Sequence, residues 1–297
     1  MKDLARRAFL TQSAALLLYG CMPSSDYRNI RNSYRRRYSP TGSNNSLAGA
    51  NIALTVGHGF HETGKFDAGA NAVGLSEFDL NLRQADTLAR TLASFGSYVD
   101  LYVYDSIRNG VSLEQRGANA SSYDVHVSMH HNSFSDDLVQ GGEVLVSSAN
   151  ASGDDKRLAG LINSNMNLET GLEDRGVKSQ NLTVLNGTAS AVATCLTEPL
   201  FMSARGYSRE EIKELSQLAA TGIAKGIEAY WVAKSLNLGS MSLTEAGIYK
   251  SEASAVIVEK HLSGISSLQS ASDLRRQLTA KTPEILVNDL PGLYDGH

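Results

Sequence analysis

The segment DVHVSMHHNSF, Asp124 to Phe134, carries three histidines within six residues. Imidazole is the commonest metal-ligating side chain and the one that exchanges protons near neutral pH. An alternating strand sends neighbours to opposite faces, so Val125, Val127, Met129 and His131 share one face while Asp124, His126, Ser128 and His130 share the other. His130 and His131 therefore cannot enter one site from a regular strand. His126 and His130 share a face, but four residues at about 3.3 Å each separate their backbones by roughly 13 Å, too far to ligate one ion. At most one of the three binds any single metal, and the competing reading for each is a hydrogen-bonded residue of the core or its rim.

What completes a site depends on the elements around this strand. From Asn51 the chain alternates between strand-like and helix-like patterning. NIALTV reads as a buried strand, Ser76 to Phe95 as an amphipathic helix stopped by Gly96, and YVDLYVY from Tyr98 as a second strand. A short helix near Leu113 to Ala120, the histidine strand and GEVLV at Gly142 to Val146 follow. Next come a helix near Lys156 to Leu168, the apolar run LTVL from Leu182, ATCLTE from Ala193, and a long helix from Ser208 to about Ser235. Ser208 and Glu211 form a capping-box pair for that helix, and Ile212, Leu215, Ala219, Ile223, Ile227 and Tyr230 form its apolar stripe. Such alternation predicts an α/β fold, a single twisted, mostly parallel sheet with helices on both faces. Ligands in such sheets bind beyond the carboxyl ends of the strands.

Three polar residues fall at those ends, and a fourth opens a helix. His58 sits between Gly57 and Gly59 just after the first strand, where flanking glycines let the backbone turn tightly and the imidazole reach outward. His130 ends the central strand, and Glu198 ends ATCLTE. Glu77 opens the helix after Ser76, a position where the helix dipole already favours a carboxylate. Two imidazoles and one carboxylate make the three-ligand set of a catalytic zinc, with a fourth position open to water. The spacing alone does not choose between the two carboxylates.

Taken together, VGHGF, FDAGANAVGLSEFDLNLRQADTLARTL, LEQRGANA, DVHVSMHHNSF, GGEVLV, DRGVK and CLTEPLF resemble, in order and placement, the zinc-dependent N-acetylmuramoyl-L-alanine amidases. The resemblance covers about Asn51 to Lys234. It implies hydrolysis of the amide joining the lactyl group of N-acetylmuramic acid to L-alanine in peptidoglycan, with Zn2+ held by His58, Glu77 and His130 and Glu198 as the catalytic carboxylate. His131 then stands where relatives carry a small residue. Between Gly59 and Asp67 this chain inserts FHETGKF, which brings His61 and Glu62 forward as rival ligands. Pro199 follows Glu198, and Ser147 to Asp174 is too short for the inhibitory helical insert of some relatives. Arg116 and Asn119 match family positions without an assigned role.

Other readings compete. GFHETGKF approaches a phosphate-binding loop, but Phe66 replaces the hydroxyl residue that would bind magnesium. HGFHE lacks the helical HExxH pattern of zinc proteases. A zinc metallocarboxypeptidase or related amidohydrolase on a similar fold remains the enzymatic alternative. A wall-binding lipoprotein without activity is the other, and it would have no need of Glu198.

The 297 residues, 42% of them hydrophobic, suffice for a full core. Cys21 and Cys195 are the only cysteines, which excludes a disulfide framework; Cys195 reads as a small buried side chain within a strand. Residues 1–21 have a basic start, a short apolar run and LYGC, the layout of an export signal ending in a lipobox whose Cys21 would be lipidated. A lipidated N-terminus would hold the chain on a membrane surface in the bacterial cell envelope, on the periplasmic or extracytoplasmic side. Residues 22–48 read as a flexible basic linker, 49–236 as the catalytic domain and 237–297 as a helical C-terminal appendix without a legible motif. Residues 1–48 hold 8 of the 27 Lys and Arg and 2 of the 31 Asp and Glu, leaving the remainder near −10. That balance argues against a nucleic-acid partner.

Overall fold

The apolar runs read as strands line up side by side in one sheet. The computed structural model describes residues 34–42 and 44–235. In chain order its strands are β1 (Arg35–Tyr38), β2 (Asn51–Val56), the hairpin pair β3 (Gly59–Phe60) and β4 (Phe66–Asp67), the pair β5 (Asn71–Ala72) and β6 (Leu75–Ser76), β7 (Tyr98–Tyr102), β8 (Val125–Met129), β9 (Gly142–Ser147), β10 (Asp174–Gln180) and β11 (Ala193–Glu198). The helices are α1 (Glu77–Ser94), α2 (Leu113–Asn119), α3 (Gly153–Thr170), α4 (Thr183–Asn186) and α5 (Arg209–Ser235). The seven-stranded sheet has the order β1-β7-β2-β8-β11-β9-β10. Strands β7, β2, β8 and β11 run parallel, β10 runs parallel to β9, and the β1–β7 and β11–β9 pairs are antiparallel.

Alternation decides which residues face which helices. Ile52 and Leu54 of β2 and Val125, Val127 and Met129 of β8 are buried with Leu88 and Leu92 of α1, Leu158 and Ile162 of α3, and Ile223 and Ile227 of α5. Each such side chain contributes about 1.5–3 kcal/mol by leaving water. The opposite face packs Ala53, Tyr102 and Tyr104 with Ala120 after α2, and Leu145 and Leu196 with Val184 and Leu185 of α4. The predicted stripe of α5 is buried along its whole length. Its capping box forms: Ser208 N–H donates to Glu211 Oε2 at 2.8 Å and Glu211 N–H to Ser208 Oγ at 3.3 Å.

Two segments differ from expectation. Arg35–Tyr38, inside the stretch read as a linker, form the edge strand β1 against β7. No apolar period announces this strand because charge anchors it: Arg37 forks onto the buried Asp100 at 2.9 and 2.6 Å, and Tyr123 Oη–H donates to the same carboxylate at 2.6 Å. DRGVKSQ, given no element in the sequence, forms the strand beside β9, while the apolar run LTVL forms a helical turn in α4. The export signal with Cys21, the first part of the linker and the 237–297 appendix lie outside the described residues. Among the described residues no helix is long and apolar enough to cross a membrane.

The pleat also settles one histidine. His126 is fully buried, with Thr55, Thr188 and Thr194 hydroxyls each 3.0 Å from its ring nitrogens. Burial pushes its imidazole down to about 4 from 6.5. The unfolded chain therefore takes the proton first, so stability is full above 6.5 and falls as pH drops toward 4, by up to about 1.4 kcal/mol per pH unit. His126→Gln removes this dependence. In urea titrations at pH 7 and pH 5 the wild type should lose about 2 kcal/mol more than the variant on acidification, and equal losses would show that His126 is not held neutral.

Candidate metal centre

Glu77 is the first residue of α1, whose N-cap Ser76 accepts from Asp79 N–H at 3.2 Å. That cap and the β5–β6 hairpin before it aim Glu77 inward, and the side chain is buried. Its Oε1 faces three donors: His58 Nε2 at 2.9 Å, His130 Nδ1 at 3.0 Å and the His131 backbone N–H at 3.2 Å. Its Oε2 accepts from Ala70 N–H at 3.0 Å. Ligand atoms of His58, Glu77 and His130 all lie within 4.8 Å of one another, a grouping that could hold a metal ion.

Each imidazole reaches this point by a local device. His58 adopts φ 67, an uncommon backbone for a residue with a Cβ, immediately after β2. Arg116, buried in α2, holds that turn by donating to the carbonyls of His58 and Phe60 while stacking 4.2 Å from the Tyr104 ring centroid. Asp67 on β4 accepts from His58 Nδ1 at 2.8 Å and is itself fixed by Gly69 N–H at 2.9 Å, which leaves Nε2 to face Glu77. His130 leaves the end of β8 with its ring over Gly57; a Cβ at that glycine would stand 2.4 Å from the ring. The two rings meet edge to face with centroids 4.9 Å apart.

His131 takes the other side of the sheet, as the pleat requires. Its Nδ1 lies 2.6 Å from Asn81 Oδ1 of α1 and its Nε2 lies 2.9 Å from Ser216 Oγ of α5, and burial pushes its imidazole down to about 3. It is a satisfied core histidine. His61, the rival raised by the 60s insert, stands behind His58 with its Nε2 3.8 Å from Asp67 Oδ2, outside the cluster. Glu62 is exposed. Glu198 ends β11 with its Oε2 buried and without a hydrogen-bond partner among the described residues. Asp67 and Arg116 were not legible as site residues: one follows an insert and the other sits in a short helix, and nothing in their spacing shows that both converge on His58.

Electrostatics separate the two carboxyl groups. Burial drives the Glu77 carboxyl up, but hydrogen bonds from His130 and His58 outweigh it and hold Glu77 well below the usual range. Burial pushes Glu198 well above that range, and the charges of Glu77 and Glu143 add to the effect. Burial opposes protonation of His58, yet its contacts with Glu77 and Asp67 raise it; the more deeply buried His130 is lowered. The donor set, two imidazoles and a carboxylate with a carboxylate behind one imidazole, fits a catalytic zinc site.

Comparison with known proteins agrees with this architecture. A family model for N-acetylmuramoyl-L-alanine amidases matches residues 52–229. Among solved structures, the chain is similar to the N-acetylmuramoyl-L-alanine amidase from Clostridium difficile 630, at 27% identity and a TM-score of 0.53 over 61% of this chain and 96% of that one. It is similar to the catalytic domain of CwlV, N-acetylmuramoyl-L-alanine amidase from Bacillus (Paenibacillus) polymyxa var. colistinus, at 25% identity and 0.52 over 61% and 97%. AmiC2 of Nostoc punctiforme, at 24% identity and 0.51 over 64% and 99%, shares the fold. Comparison with curated protein sequences returns no match.

Because Asp67 orients His58 from behind, Asp67→Ala should weaken binding of a divalent metal by about 10–100-fold. The half-exposed hairpin that carries Asp67 makes a large change in Tm unexpected. Calorimetric metal titration beside thermal unfolding tests this, and unchanged affinity would remove Asp67 from the centre.

Proposed function

This chain belongs to the N-acetylmuramoyl-L-alanine amidase family, and from that premise we propose that it hydrolyses the lactyl amide of L-alanine in peptidoglycan with zinc held by His58, Glu77 and His130. The observation that carries this reading is the convergence of those three side chains within 4.8 Å, with Oε2 of Glu198, unpartnered among the described residues, at a neighbouring strand end. When bound, zinc would supply Lewis acidity toward the amide carbonyl and the attacking water.

The chain's own residues supply the rest. Glu198 takes a proton from the attacking water and returns it to the departing amine of L-alanine. Burial, then the charges of Glu77 and Glu143, raise its proton affinity; the positive charge of a bound ion would counter this and leave the carboxylate free to take the proton. Glu77, held anionic, fixes the spacing of His58 and His130 and offsets positive charge between them. Asp67 and Arg116 hold His58 in register from its ring and its backbone carbonyl. Metallocarboxypeptidases use the same set of two imidazoles and a carboxylate, so the match to the amidase family over residues 52–229 is what favours the amidase reading.

For the remaining segments we keep the reading of an exported protein whose residues 1–21 are a signal, whose Cys21 is lipidated at a membrane surface, and whose residues 49–236 do the chemistry. Cys21→Ser should abolish fatty-acid labelling and release the protein from the membrane fraction; a wild type that carries no lipid would end the anchoring proposal.

The decisive variant is Glu198→Gln. It keeps side-chain shape and is not one of the three proposed ligands, so zinc content should stay at the wild-type level while turnover falls by about 10²–10⁴-fold, the usual cost of a lost general base. Purified peptidoglycan is the substrate, and mass analysis of the released peptides is the readout. Amidase action releases peptides with a free L-alanine amine, carboxypeptidase action releases C-terminal residues, and a binder releases nothing. Alanine at His58, Glu77 or His130 should remove zinc, and alanine at His131 or His61 should not. Loss of zinc in Glu198→Gln would make Glu198 a ligand and overturn the assignment.

A further inference from the structure

Three of the four site residues follow one another along the sheet: His58 after β2, His130 after β8 and Glu198 at the end of β11. The metal centre therefore has two flanks. Glu198 stands on one. There the loop after β11 is tied to the loop after β8, because Ser203 Oγ accepts from Phe134 N–H and donates to the Phe134 carbonyl, both at 2.9 Å. The β3–β4 hairpin and the loop after β7 stand on the other.

That hairpin is the FHETGKF insert, and contacts fix it from several sides. Phe60 N–H donates to the Tyr104 carbonyl at 2.7 Å, and His61 N–H to the Lys65 carbonyl at 2.9 Å. The loop after β7 lies close against it: Gly110 has no room for a Cβ beside the His61 carbonyl, and a Cβ on Gly64 at the tip would stand 3.0 Å from Ile107 Cδ1. Phe66 is the cross-strand partner of Phe60, with ring centroids 5.0 Å apart, and it meets Phe78 edge to face at 5.4 Å. The Phe66 ring is held by these neighbours, yet 43% of the residue is exposed.

Its place in the chain sets what it can touch. Phe66 precedes Asp67, which holds His58, and Phe78 follows Glu77, so this exposed aromatic lies next to the metal centre. A ring already fixed costs little ordering on binding, and its exposed part is apolar surface available to a ligand.

The reaction decides which ligand. Glu198 must reach the L-alanine nitrogen to return its proton, so the peptide leaves on the β11 flank. The acyl half of the scissile amide then lies on the hairpin flank. That half is a lactyl group joined by one ether to the N-acetylmuramic acid ring, so the sugar follows the carbonyl closely. A pyranose turns slightly positive C–H groups to its faces, and an aromatic ring presents a negative face.

We propose that Phe66 is the platform on which the N-acetylmuramoyl ring of the substrate stacks. This rests on the amidase reading and makes Phe66 a specificity residue of that reaction, with no part in the proton transfers.

The test is calorimetric titration of the zinc-loaded, full-length chain with N-acetylmuramic acid and with 2-methoxypropanoic acid of the same configuration. The second keeps the carboxylate and the ether but lacks the sugar, so any contact of the carboxylate with the metal cancels in the comparison, and neither acid is consumed. The wild type should bind the sugar acid about tenfold more tightly, the worth of one well-placed aromatic contact. Phe66→Leu, which keeps apolar packing on Phe60 and Phe78 without an aromatic face, should cut that preference to about threefold or less. Phe66→Tyr should retain it. Phe134→Ala, which removes an aromatic of 55% exposure on the opposite flank, should retain it as well. Equal wild-type affinities, binding of neither acid, a preference unchanged in Phe66→Leu, or one lost in Phe134→Ala would overturn the platform. Failure of the amidase reading looks different, because peptidoglycan digestion would then release no peptide with a free L-alanine amine whatever the two acids do.

Discussion

A carboxylate that leaves water without partners costs several kcal/mol, and Glu77 is buried. It stays charged because two imidazoles and a backbone N–H face one of its oxygens and a second backbone N–H meets the other. Those donors come from three places that share no local sequence: the turn after β2, the end of β8 and the loop before β5. The sheet brings the first two together because β2 and β8 are parallel neighbours whose ends lie side by side. The hairpins between β3 and β6 bring the third.

Close approach then limits what the surrounding backbone can be. Gly57 lies under the His130 ring, and Gly69 lies against both Glu77 and His58, where an added Cβ would stand 2.6 Å from each. Neither position tolerates a side chain without moving a donor. The tightness of the cluster is thus a property of backbone as much as of the histidines themselves.

Much of this was readable from the chain. Pleat alternation alone separated His130 from His131, because period two is a geometric fact about strands. The position of His58, His130 and Glu198 at strand ends followed from the α/β pattern, and the capping box of α5 from four residues of sequence. What escaped has a common cause. Asp67, Arg116 and the β1 arginines act through partners 9 to 69 residues away, and polar contacts leave no periodic trace.

Residue type did not decide the fate of the histidines or the glutamates; the neighbours did. His126 and His131 are held neutral by burial among hydroxyl and amide groups, whereas His58, between two carboxylates, is drawn toward its cationic form. Glu77 and Glu198 diverge in the same way. Both are desolvated, but Glu77 is given donors and is driven down, while Glu198, with no donor at Oε2 among the described residues, is driven up by burial and then by two negative neighbours. Two identical side chains are thereby driven in opposite directions, one toward its anionic form and the other toward its protonated form. Supplying Glu198 with a donor of its own would narrow the difference, because a hydrogen bond to the charged form of a carboxyl favours that form.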